Sequence, residues 1–369
     1  MQGMLWSTSP ACTELETVTL DWLAKLVGLP ESFHSSSENA GGVIQGTASE
    51  AALAAMIAAR HRAGHGDALT AYTSDQAHSS LVKAANIIGL APGALRMIPT
   101  DGDMRMDPTA LARTIEADRA AGRTPFFVSA TLGTTSTGAF DPLETIGPIA
   151  QDHGCWLHVD AAWAGSAFVC PEFREPMAGV ELADTFNFNP HKWLLTNFDC
   201  SALWTRDRSA LIDAMSVTPE YLRNPASEAG AVIDYRDWQI PLGRRFRAIK
   251  LWFVLRSFGA EGLRAHVRRH VELAEWFEAQ VVAEVRFEMA APRSLALVCF
   301  RLADDPDGAR TRALLDRINA SGELFCSHTT IPDRQTGAMR YAIRLAIGAV
   351  GTKRAHVERA WGVIRGSCL

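Results

Sequence analysis

One lysine stands in an unusual setting in the middle of the sequence. Lys192 lies between a histidine and a tryptophan in the stretch NFNPHKWLL, after Asn189 and Pro190 and before an apolar run. Burial against apolar neighbours disfavours the ammonium form and lowers the pKa of a lysine. Such an amine is a nucleophile toward aldehydes. On position alone, an ordinary lysine in a β–α turn is the simpler interpretation.

A histidine and an aspartate stand two residues apart in the apolar stretch WLHVDAAWAG. In a strand such residues share a face, so the imidazole of His158 and the carboxylate of Asp160 point the same way. No further ligands follow at metal-site spacing, which argues against a metal centre. A carboxylate followed by Ala161 and Ala162 suits a protonated heteroaromatic nitrogen that lies over small side chains. A buried polar pair with internal partners explains these residues equally well.

Two further segments could contact a ligand: one could bind an anion, and the other could stack on a flat ring. Thr47, Ala48 and Ser49 begin an alanine-rich helix, and the backbone N–H groups of a helix start, with two hydroxyls, can bind a phosphate. His78, in TSDQAHSS, follows a predicted strand, and its imidazole can stack on a ring. Taken singly, a capped helix and a structural histidine are the commoner explanations.

All four features together match one cofactor. Pyridoxal 5′-phosphate (PLP) uses a phosphate site, a carboxylate for its ring nitrogen, a stacking side chain and a nucleophilic lysine. The sequence therefore predicts that the PLP aldehyde condenses with Lys192. Asp160 would keep the pyridine nitrogen protonated, which makes the ring an electron acceptor.

The surrounding elements predict an α/β protein. Short apolar runs alternate with helical patterns and favour a mostly parallel sheet; they are ALTAYTS, PFFVSATLGTT, CWLHVDAAWAG, DTFNFN and CSALWT. In such sheets ligands bind at the carboxyl ends of the strands. We predict a large domain over residues 1–255 and a smaller α/β domain over 256–369. Residues 216–236 carry Pro219, Pro225 and Gly230 and few apolar residues, and they predict a long functional loop.

Composition excludes several classes of protein. The chain has 369 residues, 47% of them hydrophobic, and a net charge of −5. No basic run is dense enough for nucleic acid, and no apolar run is long enough for a membrane span. The cysteines are odd in number, seven, without a CxxC pair, which is typical of reduced thiols. We expect a soluble cytoplasmic protein.

Several segments closely resemble one family, in the family's order. They are SPACTELE, IQGTASEA, SDQAHSS, WLHVDAAWAGSAFVCPEFR, NFNPHKWLLTNFDCSALW and WQIPLGRRFR. They resemble the aromatic L-amino acid decarboxylases, group II PLP-dependent decarboxylases, over nearly the whole chain. The resemblance implies an aspartate-aminotransferase-like fold (PLP fold type I) with a large and a small domain. It also implies the conversion of aromatic L-amino acids to arylalkylamines and CO₂, and a homodimer with shared active sites.

The resemblance implies a role for each matching residue. Lys192 is similar to the Schiff-base lysine, and Asp160 to the partner of the pyridine nitrogen. The other matching positions are Ala162 and His78 on the two ring faces, Thr131 near the ring oxygen, and Ala48, Ser49 and Asn189 at the phosphate, with His191 adjacent.

The implied proton donor lies on the predicted loop. Tyr221, in TPEYLRNP, matches the family's mobile catalytic loop, which reaches the neighbouring subunit, and His78 would support it. Relatives with phenylalanine at this position form aldehydes, so the tyrosine predicts an amine product. Two alternatives stay open: a PLP-dependent aromatic aldehyde synthase, and a truncated cofactor-binding protein with little turnover.

Substrate choice is the least determined property. Gly243 matches a position that lines the substrate pocket from the partner subunit, with Leu242 beside it and Met4 at a further pocket position. A glycine leaves room for a large ring, so tryptophan, phenylalanine, tyrosine and dihydroxyphenylalanine all stay open. Family members carry a helical segment before SPACTELE that contributes to dimer and pocket. The sequence given begins just before this motif, so we expect a smaller dimer contact and a more open pocket.

Overall fold

The computed structural model describes residues 3–64, 66, 68–217, 219, 222–223, 225–230, 232–332 and 337–368. The chain divides into two compact units. The first comprises Met1–Asp101, Arg105–Leu132 and Phe140–Leu263, and the second comprises Gly102–Met104, Gly133–Ala139 and Arg264–Leu369. The predicted domain boundary at residues 255 and 256 falls inside a helix that begins in the first unit, and it stays a prediction.

The first unit is built on a seven-stranded sheet in the order β1-β7-β6-β5-β4-β2-β3. Its strands are β1 (Gly41–Gln45), β2 (Leu69–Ser74), β3 (Leu95–Ile98), β4 (Thr124–Thr131), β5 (Trp156–Asp160), β6 (Thr185–Phe188) and β7 (Ser201–Thr205). Pairings from β3 to β6 are parallel, and β7 is antiparallel to both β6 and β1. The predicted α/β fold with a mostly parallel sheet is therefore confirmed.

Strand direction brings the predicted site segments to one edge of this sheet. Since β1 and β6 are both antiparallel to β7, they point the same way. The carboxyl ends of β1, β2, β4, β5 and β6 consequently share one edge. The segments that begin at Thr47, His78, Thr131, Asp160 and Asn189 follow or end these strands.

Nine helices in the described chain belong wholly or partly to the first unit. They are α1 (Pro10–Val27), α2 (Ala48–Ala63), α3 (Ser80–Ile87), α4 (Pro108–Ala120), α5 (Leu143–Asp152), α6 (Pro190–Trp193), α7 (Arg208–Met215), α8 (Pro225–Glu228) and α9 (Arg247–Ala283). Short 3₁₀ turns connect several of them. The interior alanines of α2 are buried and let this helix pack closely on the sheet.

Strand β1 begins with two glycines. Gly41 and Gly42 belong to β1 and pair with β7. A Cβ on Gly42 would lie 2.7 Å from Nε1 of Trp204. Gly42 is therefore needed for the close approach of the Trp204 side chain.

The second unit contains a smaller antiparallel sheet in the order β10-β11-β9-β8. Its elements are β8 (Phe287–Met289), β9 (Leu297–Leu302), β10 (Ser327–Pro332), β11 (Met339–Ala346), the end of α9, α10 (Ala309–Ala320) and α11 (Arg354–Gly366). This confirms the smaller α/β part. Helix α9 is interrupted at Gly259, whose φ is 62°. Among the described residues, no helix combines the length and hydropathy needed to cross a bilayer.

Candidate active site

The turn after β6 presents Lys192. Asn189 is extended, as expected before a proline, with φ −108° and ψ 97°. Pro190 then begins α6, a single helical turn in which the N–H of Lys192 donates to the carbonyl of Asn189 at 2.9 Å. Trp193 and Leu194, next in the chain, are buried. These buried neighbours fix the backbone from which the lysine side chain extends.

Lys192 has the properties of a nucleophilic amine. Burial among protein atoms lowers the pKa of its ammonium group, and the negative charge of Asp160 raises that pKa by less. Part of the Lys192 surface nevertheless stays accessible to solvent. A reactant can therefore reach an amine that loses its proton more easily than a free lysine.

Asp160 ends β5 in a network of main-chain hydrogen bonds. Its Oδ1 accepts the N–H of Ala162 at 2.9 Å, and its side chain is buried. The N–H of Ala161 donates to the carbonyl of Asn187 at 2.9 Å, and the N–H of Asn189 donates to that of Ala162 at 3.0 Å. These bonds tie the turn after β5 to the turn that begins α6. The carboxylate and the lysine are thereby held on adjoining turns.

Two rows of polar side chains cross one face of the sheet below this edge. Neighbouring strands bring them into register as a first row of Thr73, Ser129, His158, Thr185 and Thr205 and a second row of Thr131, Asp160 and Asn187. Every one of these side chains is buried. Because sheet interiors are ordinarily apolar, so many buried polar groups require a ligand or an internal network to satisfy them.

His158 is a neutral member of these rows. Its Nδ1 lies 2.9 Å from Oγ1 of Thr185. Burial lowers the pKa of His158 to about 4, while the charge of Asp160 and a hydrogen bond with Asn187 act in the opposite direction. Among the residues that the structure describes, no cluster of His, Cys, Asp or Glu could hold a metal ion. The described geometry therefore gives no support to a metal-binding role for His158 and Asp160.

Several buried atoms at this edge have no partner at strict hydrogen-bond geometry among the described residues. They are Oγ1 of Thr131, Oδ1 of Asn189, and both amide atoms of Asn187. A buried polar group without a partner costs about 1–3 kcal/mol. Oxygen and amide groups of this kind, beside a carboxylate and an accessible amine, fit a polar aromatic aldehyde such as PLP.

The start of α2 fits the phosphate of the same cofactor. Oγ1 of Thr47 accepts the N–H of Glu50 at 3.3 Å, and Oε2 of Glu50 accepts the N–H of Gly46 at 2.7 Å. This confirms the predicted cap. Helix geometry leaves the N–H groups of Ala48 and Ser49 without intrahelical acceptors, and the positive end of the helix dipole favours an anion there.

Two histidines at the same edge each use one ring nitrogen as the acceptor of a backbone hydrogen bond. Nδ1 of His78 accepts the N–H of Ser80 at 3.2 Å and lies 2.9 Å from its hydroxyl. Its proton is thus on Nε2, and its ring is exposed. Nδ1 of His191 accepts the N–H of Cys200 at 2.8 Å, and burial lowers the pKa of His191.

The predicted substrate-pocket residues come from distant parts of the sequence. Leu242 is 46% exposed, and a Cβ on Gly243 would meet no atom within 4 Å. The carbonyl of Met4 accepts the N–H of Arg236 at 3.1 Å, and the guanidinium of Arg244 donates to the carbonyl of the residue before Met4 at 3.1 Å. The structure thus brings the start of the chain to the 236–244 segment. Tyr221 lies outside the described residues.

Sequence reasoning missed three residues of this region. Thr185 and Asn187 complete the polar rows, and their signal is the polar–apolar alternation TFNF in β6. Asp141 accepts the N–H groups of Thr131 and Met106, each at 2.7 Å, and burial raises its pKa to about 6. No pattern in the sequence around Asp141 indicates this support of Thr131.

Fold and site together define a PLP-dependent enzyme of the decarboxylase type, and comparison with known proteins agrees. The family model described as "Pyridoxal-dependent decarboxylase conserved domain" matches residues 1–303. The chain belongs to this family, and its cofactor is PLP.

Three relatives illustrate the range of the family. Phenylacetaldehyde synthase of Arabidopsis thaliana is 49% identical over 98% of this chain and 75% of its own length. Aromatic-L-amino-acid decarboxylase of Bos taurus is 49% identical over 97% of this chain and 74% of its own. The crystal structure of Oryza sativa TDC with PLP and tryptamine superposes with a TM-score of 0.95 at 40% identity, and covers all of this chain and 78% of the other.

Proposed function

We propose that the protein decarboxylates aromatic L-amino acids to the corresponding arylalkylamines and CO₂. The observation that carries the proposal is the placement of Lys192 and Asp160 on adjoining turns at the carboxyl edge of the sheet, within electrostatic reach of each other. The relatives named for aromatic substrates support the substrate class.

The residues at the carboxyl edge of the sheet have separate roles in binding the cofactor. When bound, PLP supplies an electron-accepting ring for the bond that releases CO₂. The amine of Lys192 would hold the aldehyde end, and the carboxylate of Asp160 would keep a proton on the ring nitrogen. The remaining groups would hold the ring and phosphate: Ala162, His78, Thr131, Thr47, Ala48, Ser49, Asn189 and His191.

The reaction also needs a proton at the carbon that loses the carboxylate. We propose that the hydroxyl of Tyr221 donates it, with support from His78. Because Nδ1 of His78 accepts a hydrogen bond, the imidazole has its N–H at Nε2, where it can donate a hydrogen bond. A positioned acid of this kind typically contributes about 10²–10⁴-fold in rate.

We propose a homodimer in which Met4, Leu242 and Gly243 line the pocket of the neighbouring subunit. The open space beside Gly243 suits a bicyclic or dihydroxylated ring. The exposed apolar side chain of Leu242 would gain a hydrophobic contact from such a ring.

The proposal is tested by incubating the PLP-loaded protein with the L-forms of tryptophan, phenylalanine, tyrosine and dihydroxyphenylalanine. We expect CO₂ and amine in equal amounts from at least one of them, and neither product from L-glutamate. Bound cofactor without CO₂ from any aromatic substrate would leave the cofactor-binding protein as the better description.

A second candidate, aldehyde formation, is favoured by the similarity to phenylacetaldehyde synthase. Product analysis of the unmodified protein, amine against aldehyde with hydrogen peroxide, distinguishes the two, and Tyr221→Phe tests the role of Tyr221. Without the phenolic proton donor we expect amine formation to fall by about 10²-fold or more. The carbanion would react with O₂ instead, giving aldehyde, ammonia and hydrogen peroxide.

Products are measured by chromatography, together with O₂ consumption. Tyr235→Phe is the matched control, because this buried tyrosine hydroxyl bonds to Thr17 at 2.9 Å and has no task in the proposed reaction. An unchanged amine yield in Tyr221→Phe would remove Tyr221 from the role of proton donor.

A further inference from the structure

A chain of buried hydrogen bonds leads through the polar rows toward Asp160. The indole Nε1 of Trp156 donates to Oγ1 of Thr185 at 2.9 Å. The same oxygen lies 2.9 Å from Nδ1 of His158. All three side chains are fully buried, so no solvent molecule on the surface competes for these bonds.

The chemistry of the donors fixes where His158 carries its proton. An indole N–H can only donate, so the Thr185 hydroxyl oxygen accepts from Trp156. The hydroxyl proton of Thr185 is then available to donate a second hydrogen bond. If that O–H is donated to Nδ1 of His158, the single proton of the neutral imidazole is on Nε2. In the reverse arrangement Nδ1–H donates to Thr185. The hydroxyl proton then has no acceptor among its described contacts, and the Nε2 lone pair faces the negative charge of Asp160.

Two groups of the second polar row act on His158, whose Nε2 is the ring nitrogen that Thr185 does not contact. Asn187 approaches it as a hydrogen-bond partner, and Asp160 acts on it as a negative charge. Nε2 and both amide atoms of Asn187 lack a partner of strict hydrogen-bond geometry. Asn187 is also the in-register neighbour of Asp160 across the β5–β6 pair. As a neighbour of both residues, Asn187 has an amide oxygen that can accept from Nε2 of His158 and an amide nitrogen that can donate to the carboxylate of Asp160.

We propose that His158, protonated on Nε2, and Asn187 are positioning residues that pass a directed series of hydrogen bonds from Trp156 and Thr185 to the carboxylate of Asp160. This inference rests on the proposed role of Asp160 toward the cofactor ring. Every donor in the series points toward the carboxylate. The series therefore stabilises the ionised carboxylate and orients it.

The neutral state of His158 is part of this arrangement. Since burial lowers its pKa to about 4, the imidazole carries one proton throughout the neutral range. A second proton, on Nδ1, would make this nitrogen a donor that faces the hydroxyl donor of Thr185. It would also place a positive charge near Asp160, which would compete with a protonated ring nitrogen.

The proton position is tested by ¹⁵N NMR of histidine-labelled protein, with and without PLP. We expect a pyridine-type shift for Nδ1 of His158 and a pyrrole-type shift for Nε2. The signals are assigned by their loss in His158→Gln. A proton on Nδ1 in both states would overturn the proposal.

The effect on the site is tested at Thr185, which is one row away from Asp160. Thr185→Val keeps the shape but removes the hydroxyl, so we expect the Kd for PLP, titrated into apoprotein, to rise about 5- to 10-fold. Thr185→Ser restores the hydroxyl and is expected to bind PLP within about 2-fold of the original protein. Thr205→Val is the matched control, because Thr205 is the in-register neighbour on β7 and, within the described part of the chain, its hydroxyl bonds locally to Asp207.

The proposal is overturned if Thr185→Val binds PLP as tightly as the original protein, or if Thr185→Ser or Thr205→Val is impaired equally. These readouts need no turnover, so they stand apart from the substrate assays. If Asp160→Asn itself leaves PLP affinity unchanged, the role of Asp160 fails instead. The NMR result then still reports the proton position.

Discussion

Lys192→Ala is expected to abolish the absorption band of the Schiff base between PLP and the lysine, and to reduce turnover by roughly 10³-fold or more. The alanine has no amine to bond the aldehyde, so the cofactor is held only by its ring and phosphate contacts. Absorption spectra of the purified variant after addition of PLP measure the first effect, and CO₂ release measures the second.

Lys250→Ala is the matched control for this experiment. Lys250 is also partly buried, and its Nζ lies 3.6 Å from a carboxylate oxygen of Asp199. We expect this variant to keep the absorption band. An unchanged band in Lys192→Ala, or its loss in Lys250→Ala alone, would mean that another of the five lysines of the sequence holds the cofactor.

Asp160→Asn is expected to lower kcat by about 10²–10³-fold, the effect of removing one preorganised electrostatic partner. The amide is nearly isosteric with the carboxylate but carries no charge to hold a proton on the ring nitrogen. The ring then accepts electrons less readily. Steady-state kinetics with saturating PLP measure the loss in kcat separately from weaker cofactor binding.

Asp184→Asn tests whether the loss is specific to the carboxyl edge. Asp184 lies just before β6, where its carboxylate accepts the N–H of Leu157 at 2.8 Å. We expect a small change in stability there and little change in kcat. If Asp160→Asn kept full kcat, the ring nitrogen would not depend on this carboxylate.

The sequence predicted those parts of the fold that have strong local signals. Strands β2 and β5–β7 are buried throughout, β4 is buried after its first two residues, and α2 has a capping threonine before a run of alanines. Strand β3 was missed because only one of its four residues is buried. Strand β10 was missed because its first four residues are polar and exposed or half-buried.

The candidate site was predicted segment by segment, without the order of the strands. Residue chemistry indicated Lys192, Asp160 and the start of α2, and the family resemblance indicated their roles. The series from Trp156 to Asp160 depends on which strands are neighbours, because Thr185 and His158 are joined only through the β5–β6 pairing. Long-range register of this kind is set by tertiary packing and is not encoded in any single stretch.

The most direct test of the proposed site is a crystal structure of the protein with PLP bound. We expect a covalent bond from Nζ of Lys192 to the aldehyde carbon, and the carboxylate of Asp160 within hydrogen-bond distance of the ring nitrogen. A ring bonded to a different lysine, or a ring nitrogen that faces any group other than Asp160, would contradict it.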